Sequence, residues 1–250
     1  MFASGDTVVA VVAHPDDESF GCGSLIAAAS AAGAGVTVIC ATRGESGERV
    51  ADSETDDVPL GTLRERELRA AGEVLGVDAI ELLELADSGF DGPLPDGALC
   101  GVALDELAQE IGARLARLRA DVVLILDGSD GHRDHQHVRA AVEAAVDRGD
   151  RRVRVVQSCL ANSLMRRWVD EAKALNPDTA YLDIDVAQLG RPDAELTPID
   201  VTAHLPVRDA AIACHQSQRS PYEGLSAELR RAFLATDFVV VTDRGPVGTT

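Results

Sequence analysis

The feature that most constrains the fold is a regular alternation of two kinds of segment. Short runs rich in β-branched residues, such as residues 7–13, are followed by longer stretches of Ala, Leu, Arg and Glu, such as residues 102–118, with apolar residues at helical spacing. This alternation is typical of βαβ units built around a parallel sheet. The sequence therefore predicts an α/β fold of the Rossmann-like, doubly wound type, in which helices flank a mostly parallel sheet.

The boundaries of the elements follow from glycine, proline and capping signals between the runs. Strands are predicted at residues 7–13, 36–42, 80–85, 121–126, 153–158 and 238–242. Helices are predicted at residues 21–32, 62–75, 102–118, 134–146, 161–174 and 203–218, with a further helix after a capping signal at residues 220–223. A capping-box pattern at residues 62–65 should open the second helix. Residues 87–101 should form a surface loop, and residues 176–198, with three prolines, an irregular excursion or a short hairpin.

Length and charge limit the classes of protein that fit. A chain of 250 residues with 46% hydrophobic content can bury roughly 70 to 75% of its unfolded surface, so one domain over residues 1–250 is expected. The formal net charge of −19 disfavours nucleic acid and anionic membranes as partners. The five cysteines show no CxxC spacing, which indicates reduced thiols and neither a disulfide framework nor a thiolate zinc site.

The first apolar run is too short for a signal sequence, and no run of about 18 apolar residues follows it. We therefore expect a cytoplasmic protein without a membrane segment. The sequence is compatible with a homo-oligomer and does not specify one.

Two polar loops follow the first and the fourth predicted strands. The first loop reads Ala13-His14-Pro15-Asp16-Asp17-Glu18, and the second reads Gly131-His132-Arg133-Asp134-His135. In a doubly wound sheet, ligands bind beyond the carboxyl ends of the strands, at the point where the strand order reverses. If the first and fourth strands are neighbours at that point, the two loops form one site.

The contents of the loops fit a catalytic metal site. Two imidazoles and a carboxylate, from His14, Asp17 and His135, would give zinc three protein ligands and leave a position open for water. Each residue alone is more readily explained as a helix cap or a solvated turn. Their joint presence at two strand ends favours the metal site. Outside this spacing, His137 is expected to be an exposed helix residue.

Other side chains in these loops could transfer protons. Asp16 could act as general base toward the metal-activated water. An imidazole at His132 could face the developing oxyanion or protonate the leaving group. Asp134, two residues further on, could fix the tautomer of His132.

The sequence resembles the PIG-L/LmbE-like family of zinc-dependent N-acetylglucosaminyl deacetylases. The most specific match is AHPDDE at residues 13–18, followed by HxDH at residues 132–135. Weaker matches cover residues 42–47, 64–68, 75–77, 87–89 and the late helix motif at residues 215–218. Two departures are Arg133, where many members have proline, and Cys22 in a glycine-rich stretch.

The resemblance implies a function and residue roles. His14, Asp17 and His135 would hold Zn²⁺, with Asp16 as general base and His132, supported by Asp134, as electrophile or general acid. Arg64 and Asp87 become candidates for binding sugar hydroxyls, although Arg64 could equally be a surface helix residue paired with Glu67. The implied reaction is hydrolysis of an N-acetyl group on a small N-acetylglucosamine-type conjugate, which releases acetate and a free amine.

Three alternatives remain open at this point. The same ligands also accept Fe²⁺, cobalt or manganese, and two histidines with one carboxylate also describe non-haem iron oxygenases. The alternation of strands and helices disfavours an oxygenase. Residues 21–23 resemble part of a dinucleotide-binding loop, but a third glycine is missing and the adjacent acids would repel a pyrophosphate. A catalytically inactive zinc- or sugar-binding protein of the same fold is the third alternative.

Overall fold

The computed structural model describes residues 1–50, 57–175 and 188–246. In this part of the chain, seven strands form one sheet: β1 (Thr7–Val12), β2 (Gly35–Thr42), β3 (Ala79–Leu85), β4 (Val122–Leu126), β5 (Val153–Cys159), β6 (Thr197–Asp200) and β7 (Thr236–Arg244). The helices of the same residues are α1 (Asp17–Phe20), α2 (Gly23–Ala31), α3 (Leu60–Leu75), α4 (Leu104–Leu118), α5 (Arg133–Arg148), α6 (Asn162–Leu175), α7 (Leu205–Ile212) and α8 (Ala227–Ala235).

The sheet has the order β3-β2-β1-β4-β5-β7-β6. The first five strands run parallel, and β1 lies between β2 and β4, with Val8 opposite both Val36 and Val122. Strand β7 pairs antiparallel with β5, and β6 pairs antiparallel with β7. The sheet and its flanking helices confirm the predicted α/β, doubly wound class. The sequence predicted six of these strands, and β6 lies where it predicted irregular structure.

Both faces of the central strand β1 are covered by helices. Val8, Ala10 and Val12 pack into one apolar cluster that includes residues of α2 and α3. Val9 and Val11 pack into a second cluster that includes residues of α4 and α5. All five side chains are essentially inaccessible to solvent. Burial on both faces explains why this strand reads as a continuous apolar run and not as an alternating one.

Three predicted helix boundaries are wrong. Helix α3 begins at Leu60 after Pro59 without a side-chain cap, so the pattern at residues 62–65 is not a capping box. Helix α7 ends at Ile212, six residues before the predicted end, and residues 213–218 form turns. Residues 220–223 also form a turn, and α8 begins later, where the Ser226 hydroxyl accepts a hydrogen bond from the Leu229 N–H.

The two predicted irregular segments differ in outcome. Residues 87–101 form a loop, but both of its ends are buried, at Asp87 and Ser88 and again at Ala98 and Leu99. Residues 176–187 lie outside the described residues. The described remainder of that segment contains a 3₁₀ turn at Asp193–Glu195 and the start of β6.

The five cysteines are free thiols. Cys22, Cys40 and Cys159 are buried, whereas Cys100 and Cys214 are partly exposed. Burial raises the pKa of Cys159 to about 12, so this thiol stays protonated at neutral pH. Among the described residues, no helix is long and apolar enough to cross a membrane.

Candidate metal centre and active site

The strand order brings the two polar loops together. Strands β1 and β4 are parallel neighbours, so the loops that follow them leave the same edge of the sheet. The rings of His14, His132 and His135 lie within 5.3 Å of one another, measured between centroids. All six residues proposed from the two loops therefore belong to one site, at the expected switch point.

Asp17 lies between the two imidazoles that were proposed as metal ligands. One carboxylate oxygen lies 3.6 Å from His14 Nδ1 and the other 3.2 Å from His135 Nε2. Ligand atoms about 2.1 Å from a tetrahedral zinc ion lie roughly 3.4 Å apart. His135 Nε2 is also buried and has no hydrogen-bond partner. An unpartnered imidazole nitrogen beside a carboxylate fits a divalent metal held by His14, Asp17 and His135.

Carboxylates orient both imidazoles from behind. Asp130 Oδ2 lies 2.5 Å from His135 Nδ1. Asp134 Oδ2 lies 3.1 Å from His14 Nε2, and the Ser88 N–H donates to the same oxygen. Metal-binding histidines usually donate their second N–H to such a carboxylate, which fixes the tautomer and the ring orientation.

Two further groups of side chains also place ligand atoms within 4.8 Å of one another: His14 with His132 and His135, and His14 with Asp87 and Asp134. In the second group, His14 Nε2 is already engaged by Asp134 and lies 3.4 Å from Asp87. These contacts match hydrogen bonds that orient an imidazole. The Nδ1 side of His14, where Asp17 lies, is therefore the side that could hold a metal.

The electrostatics of the centre favour a positive charge there. Burial lowers the pKa of His14, but hydrogen bonds to Asp134 and Asp87 and the charge of Asp17 outweigh it and raise the pKa to about 9. Burial alone would also lower the pKa of His135. Asp17 and Asp130 outweigh burial and raise this pKa far above its usual value. Without metal the two imidazoles hold protons. A divalent cation would replace these protons, because metal binding requires neutral imidazole.

Asp16 has the geometry and the pKa of a general base. Its backbone is held at φ 114°, a strained conformation for a residue with a side chain and one that concentrates at functional sites. The Glu18 carboxylate accepts its N–H, and Arg64 Nη2 donates to its Oδ2 at 2.9 Å. Burial raises the pKa of Asp16 to about 6, against the lowering effect of Arg64. A carboxylate with this pKa accepts protons near neutral pH.

Arg64 is buried and is not a surface residue paired with Glu67. Besides Asp16, its guanidinium donates to the carbonyl oxygens of Pro15 and Gly44. Gly44 has φ 63°, and a Cβ there would lie 2.2 Å from Arg64 Nη1. The loop can therefore approach Arg64 only because residue 44 is a glycine without a side chain. The contacts make Arg64 a residue that positions Asp16. Binding of a sugar by Arg64 stays a prediction.

Asp87, the other candidate for sugar binding, is also buried, and it lies at the edge of the metal centre. Its Oδ1 accepts the Gly89 N–H, and its Oδ2 accepts the Ser46 N–H. Burial alone would raise the pKa of Asp87, but the hydrogen bond to His14 outweighs burial and lowers this pKa. The carboxylate is therefore ionised and already partly engaged. Its role toward a sugar likewise stays a prediction.

His132 is the N-cap of α5. Its Nδ1 accepts the backbone N–H of Asp134 at 3.2 Å, which leaves the proton of the neutral ring on Nε2. The predicted support by Asp134 thus comes from its backbone, and the Asp134 carboxylate supports His14. Burial lowers the pKa of His132 to about 4, with a further contribution from the other two imidazoles. A neutral imidazole with a free Nε2–H suits an oxyanion donor better than a general acid.

Several residues at this site were not predicted to have a role. Asp130 is the clearest, and its signal was a carboxylate five residues before His135 in the same loop. Arg133, which stands where many family members have proline, binds the neighbouring loop. Its guanidinium donates to the carbonyl oxygens of Ser88, Gly89, Asp91 and Gly92. His137 lies outside the site, with Nε2 3.1 Å from the carbonyl oxygen of Val102.

A second buried cluster lies behind Asp16. His215 Nε2 is 2.6 Å from Glu18 Oε1, and the Ser19 hydroxyl donates to the same oxygen. The predicted late helix motif at residues 215–218 therefore lies in turns, where His215 and Ser217 bind buried glutamates. These residues support the loop that carries Asp16.

Known proteins resemble this chain over much of its length. The family described as PIG-L: GlcNAc-PI de-N-acetylase matches residues 9–146. A 1D-myo-inositol 2-acetamido-2-deoxy-α-D-glucopyranoside deacetylase of Thermobispora bispora is 33% identical over 92% of this chain and 86% of the relative. The enzyme of the same name from Geodermatophilus obscurus is 31% identical over 96% of this chain and 92% of the relative.

Solved structures show the same fold. The N,N'-diacetylchitobiose deacetylase of Pyrococcus horikoshii is 19% identical, with a TM-score of 0.62 over 95% of this chain and 84% of the other. The 4-carboxy-2-hydroxymuconate hydratase of Pseudomonas putida is 18% identical, with a TM-score of 0.60 over 98% of both chains. The fold thus serves more than one reaction. The family match and the relatives above 30% identity, in contrast, show that this chain belongs to the PIG-L family, as its motifs predicted.

Proposed function

We propose that the protein is a metal-dependent N-deacetylase that releases acetate from a small N-acetylglucosamine-type conjugate. The observation that carries the proposal is the unpartnered, buried His135 Nε2 beside Asp17, next to a carboxylate at Asp16 whose pKa is about 6. A cation site and a base tuned to neutral pH are the two parts that hydrolysis of an unactivated amide needs. Relatives named as deacetylases support the same reaction.

His14, Asp17 and His135 would hold the metal, with Asp130 and Asp134 fixing the two rings. A bound divalent cation supplies Lewis-acid chemistry, because it makes water acidic near neutral pH and stabilises negative charge on a carbonyl oxygen. Zn²⁺ fits the ligand set, and Fe²⁺ or another divalent metal fits it as well. The metal that the protein carries in the cell is therefore to be determined by metal analysis.

The protein side chains move the protons. Asp16 removes a proton from the attacking water, and Arg64 holds its carboxylate in place. The neutral His132 donates its Nε2–H to the oxyanion that forms when the amide carbonyl is attacked; preorganised donors of this kind are typically worth about 3 kcal/mol each. Asp16 then returns its proton to the nitrogen as the C–N bond breaks. The products are acetate and a free amine.

The sugar would bind on the Asp16 side of the centre. Asp87 and Arg64 lie there, and the aromatic ring of Phe90, which is 41% exposed, packs edge-on against His132 at 5.5 Å. We also propose that the enzyme acts in the cytoplasm.

The test is release of acetate and free amine from a panel of N-acetylglucosaminyl conjugates, including the inositol conjugate named for the relatives. Metal-loaded protein is compared with chelated protein and with Asp16→Asn, an isosteric change that removes the base. Turnover should disappear on chelation, return with added metal, and fall by about 10²- to 10⁴-fold in Asp16→Asn.

The matched control is Asp91→Asn, which removes one carboxylate from the exposed loop near the same site. This variant should keep its activity within about twofold, because the Asp91 side chain is not part of the proton-transfer path. Tight metal binding without hydrolysis of any conjugate would contradict the proposal and favour a sugar-binding protein of the same fold.

A further inference from the structure

A cavity of about 270 Å³ lies beside the metal centre, beyond the carboxyl ends of β4 and β5. Its walls are mainly apolar and come from α1, α6, α8 and the turn before α8. The large side chains among them are Phe20, Leu164, Met165, Trp168, Tyr222 and Phe233. An apolar cavity of about 150 Å³ holds a benzene molecule, so this cavity has room for a longer group than the methyl of an acetyl.

The cavity reaches the metal centre from one side only. Asp17 and His135 form part of its wall. The groups that transfer protons and those proposed for sugar binding, which are Asp16, Arg64, Asp87 and His132, are not part of the wall. The metal ligands therefore separate two sides of the centre. The polar side holds the proton-transfer groups, whereas the side with the cavity is mainly apolar and has only a few carboxylates in its wall.

This division assigns the two halves of an amide substrate. The leaving nitrogen must receive the proton that Asp16 has taken from water, so it faces Asp16. The substituent on the acyl carbon receives none and gains free energy from apolar surroundings. The acyl group therefore extends past Asp17 and His135 into the cavity.

We propose that the preferred substrates are N-acyl amino sugars whose acyl chain is longer than acetyl, of about six to eight carbons. This inference rests on the proposed function, which is amide hydrolysis on an amino sugar at this site, and it replaces acetyl by a longer acyl group as the preferred substituent. Water adds across the C–N bond as before: the acyl carbon gains the hydroxyl oxygen, the nitrogen gains the proton, and the products are a medium-chain carboxylate and a free amine.

The charges in the wall restrict the chain further. Asp127 and Asp237 are buried there, and each has one carboxylate oxygen without a hydrogen-bond partner. Burial raises the pKa of both carboxyls. Arg208, which also lines the cavity, already pairs with Asp237, so an added carboxylate would compete for a cation that is in use. Chains that end in a methyl group should bind, whereas chains that end in a carboxylate should not.

The first experiment measures kcat/KM for N-acetyl, N-butyryl, N-hexanoyl and N-octanoyl forms of one glucosamine conjugate. Each buried methylene can raise kcat/KM by up to about fourfold, so the hexanoyl form should exceed the acetyl form at least tenfold. An N-acetyl conjugate with an octyl group on the sugar is the comparator, because it carries the same chain on the amine side.

A variant that fills the cavity tests its location. Leu164→Trp should lower the ratio of kcat/KM for hexanoyl over acetyl substrate at least tenfold. The ratio does not depend on the fraction of active protein. The matched control is Asp170→Trp, which adds the same ring on the exposed side of α6 and should keep the ratio.

A binding measurement needs neither metal nor turnover. Trp168 is the single tryptophan of the chain and forms part of the cavity wall, so its fluorescence reports what enters. Octanamide, a neutral compound, should shift the emission of metal-free protein in a saturable way, and acetamide should not.

The outcomes separate the two proposals. If acetyl is the best substrate and octanamide leaves the emission of Trp168 unchanged, the inference is overturned while the deacetylase function stands. A higher kcat/KM for the octyl glycoside, with no increase for the N-octanoyl form, would assign the cavity to the amine side of the substrate. That result would also overturn the inference. If no amide is hydrolysed, the proposed function fails, and the substrate class fails with it.

Discussion

Asp130 shows how a single residue can shape a site through the neighbours that it holds in place. Its carboxylate binds His135 Nδ1 on one oxygen and accepts the His132 N–H on the other. It therefore fixes one proposed metal ligand, His135, and the start of the segment that carries the proposed oxyanion donor, His132. Burial alone would raise the pKa of Asp130, but His135 outweighs burial and lowers this pKa. The group is therefore a carboxylate at neutral pH.

We expect Asp130→Asn to weaken metal binding by about 10- to 100-fold, as loss of a carboxylate behind a metal-binding histidine typically does. Competition with a chromophoric chelator measures the affinity directly. Asp91→Asn is again the control for the loss of one negative charge near the site. An unchanged affinity in Asp130→Asn would show that the contact with His135 is not a functional one.

The candidate ligands were predictable because each of them lies in a short motif at a strand end. The partners of these ligands were not, because they come from distant parts of the chain. Asp134 was assigned to the adjacent His132, yet its carboxylate binds His14, 120 positions away. Arg64 was predicted to bind a sugar, with a surface helix position as the alternative. Its contacts with the loop of Asp16 arise only when α3 packs against the loop that follows β1. Local spacing does not determine such contacts.

At the scale of elements, buried strands were the easiest to predict, and helix ends were the hardest. Helix α7 ends at Ile212, and five residues later Ser217 donates both its N–H and its hydroxyl to Glu67 on α3. A tertiary contact thus replaces the hydrogen bonds that a longer helix would have made. The apolar periodicity over residues 203–218 contains no sign of this contact.

The start of α8 gives a test of this distinction. Ser226→Ala should lower the free energy of unfolding by about 1 kcal/mol, because it removes the hydroxyl that caps the helix. Ser220→Ala, at the position where the sequence suggested a cap, should change it by less than about 0.5 kcal/mol, because its hydroxyl lies in a turn. Urea unfolding of both variants measures the difference. Equal effects would contradict the assignment of the cap to Ser226.

Arg133 makes a corresponding prediction for a loop. Four carbonyl oxygens of residues 88–92 accept hydrogen bonds from its guanidinium, which are charge-assisted bonds. Arg133→Met should therefore raise amide hydrogen exchange in residues 88–92 at least tenfold and raise KM, since Asp87 lies at the start of that loop. Arg117→Met, which breaks an exposed ion pair with Glu81, should leave the exchange of this loop unchanged.

At the scale of the whole molecule, buried charge links stability to pH. Burial alone would lower the pKa of His215, but Glu18 outweighs burial and raises this pKa above its ordinary value of 6.5. A group whose pKa is raised on folding stabilises the native state fully below its unfolded pKa, and this contribution is lost as pH rises through the folded value. The contribution of His215 is therefore present below about pH 6.5 and declines at higher pH.

His215→Gln removes the titrating group and keeps a hydrogen-bond donor. The free energy of unfolding of the unchanged protein should contain a component that falls on the alkaline side of pH 6.5 and that His215→Gln lacks. Its slope is at most about 1.4 kcal/mol per pH unit. Urea unfolding at intervals from pH 5.5 to 8.5 tests this. The same slope in both proteins would show that His215 is not the responsible group.

The antiparallel end of the sheet has a consequence for the order of assembly during synthesis. Strand β6 reaches the sheet only through β7, which lies between β5 and β6. On the ribosome, β1 to β5 and both polar loops are therefore complete before β6 has a partner. The parallel part of the sheet can begin to form early, as N-terminal parts of nascent chains do. The apolar wall contributed by α8 and Phe238 must wait for the late strand, so a ribosome stalled between β6 and β7 would expose an unpaired strand edge.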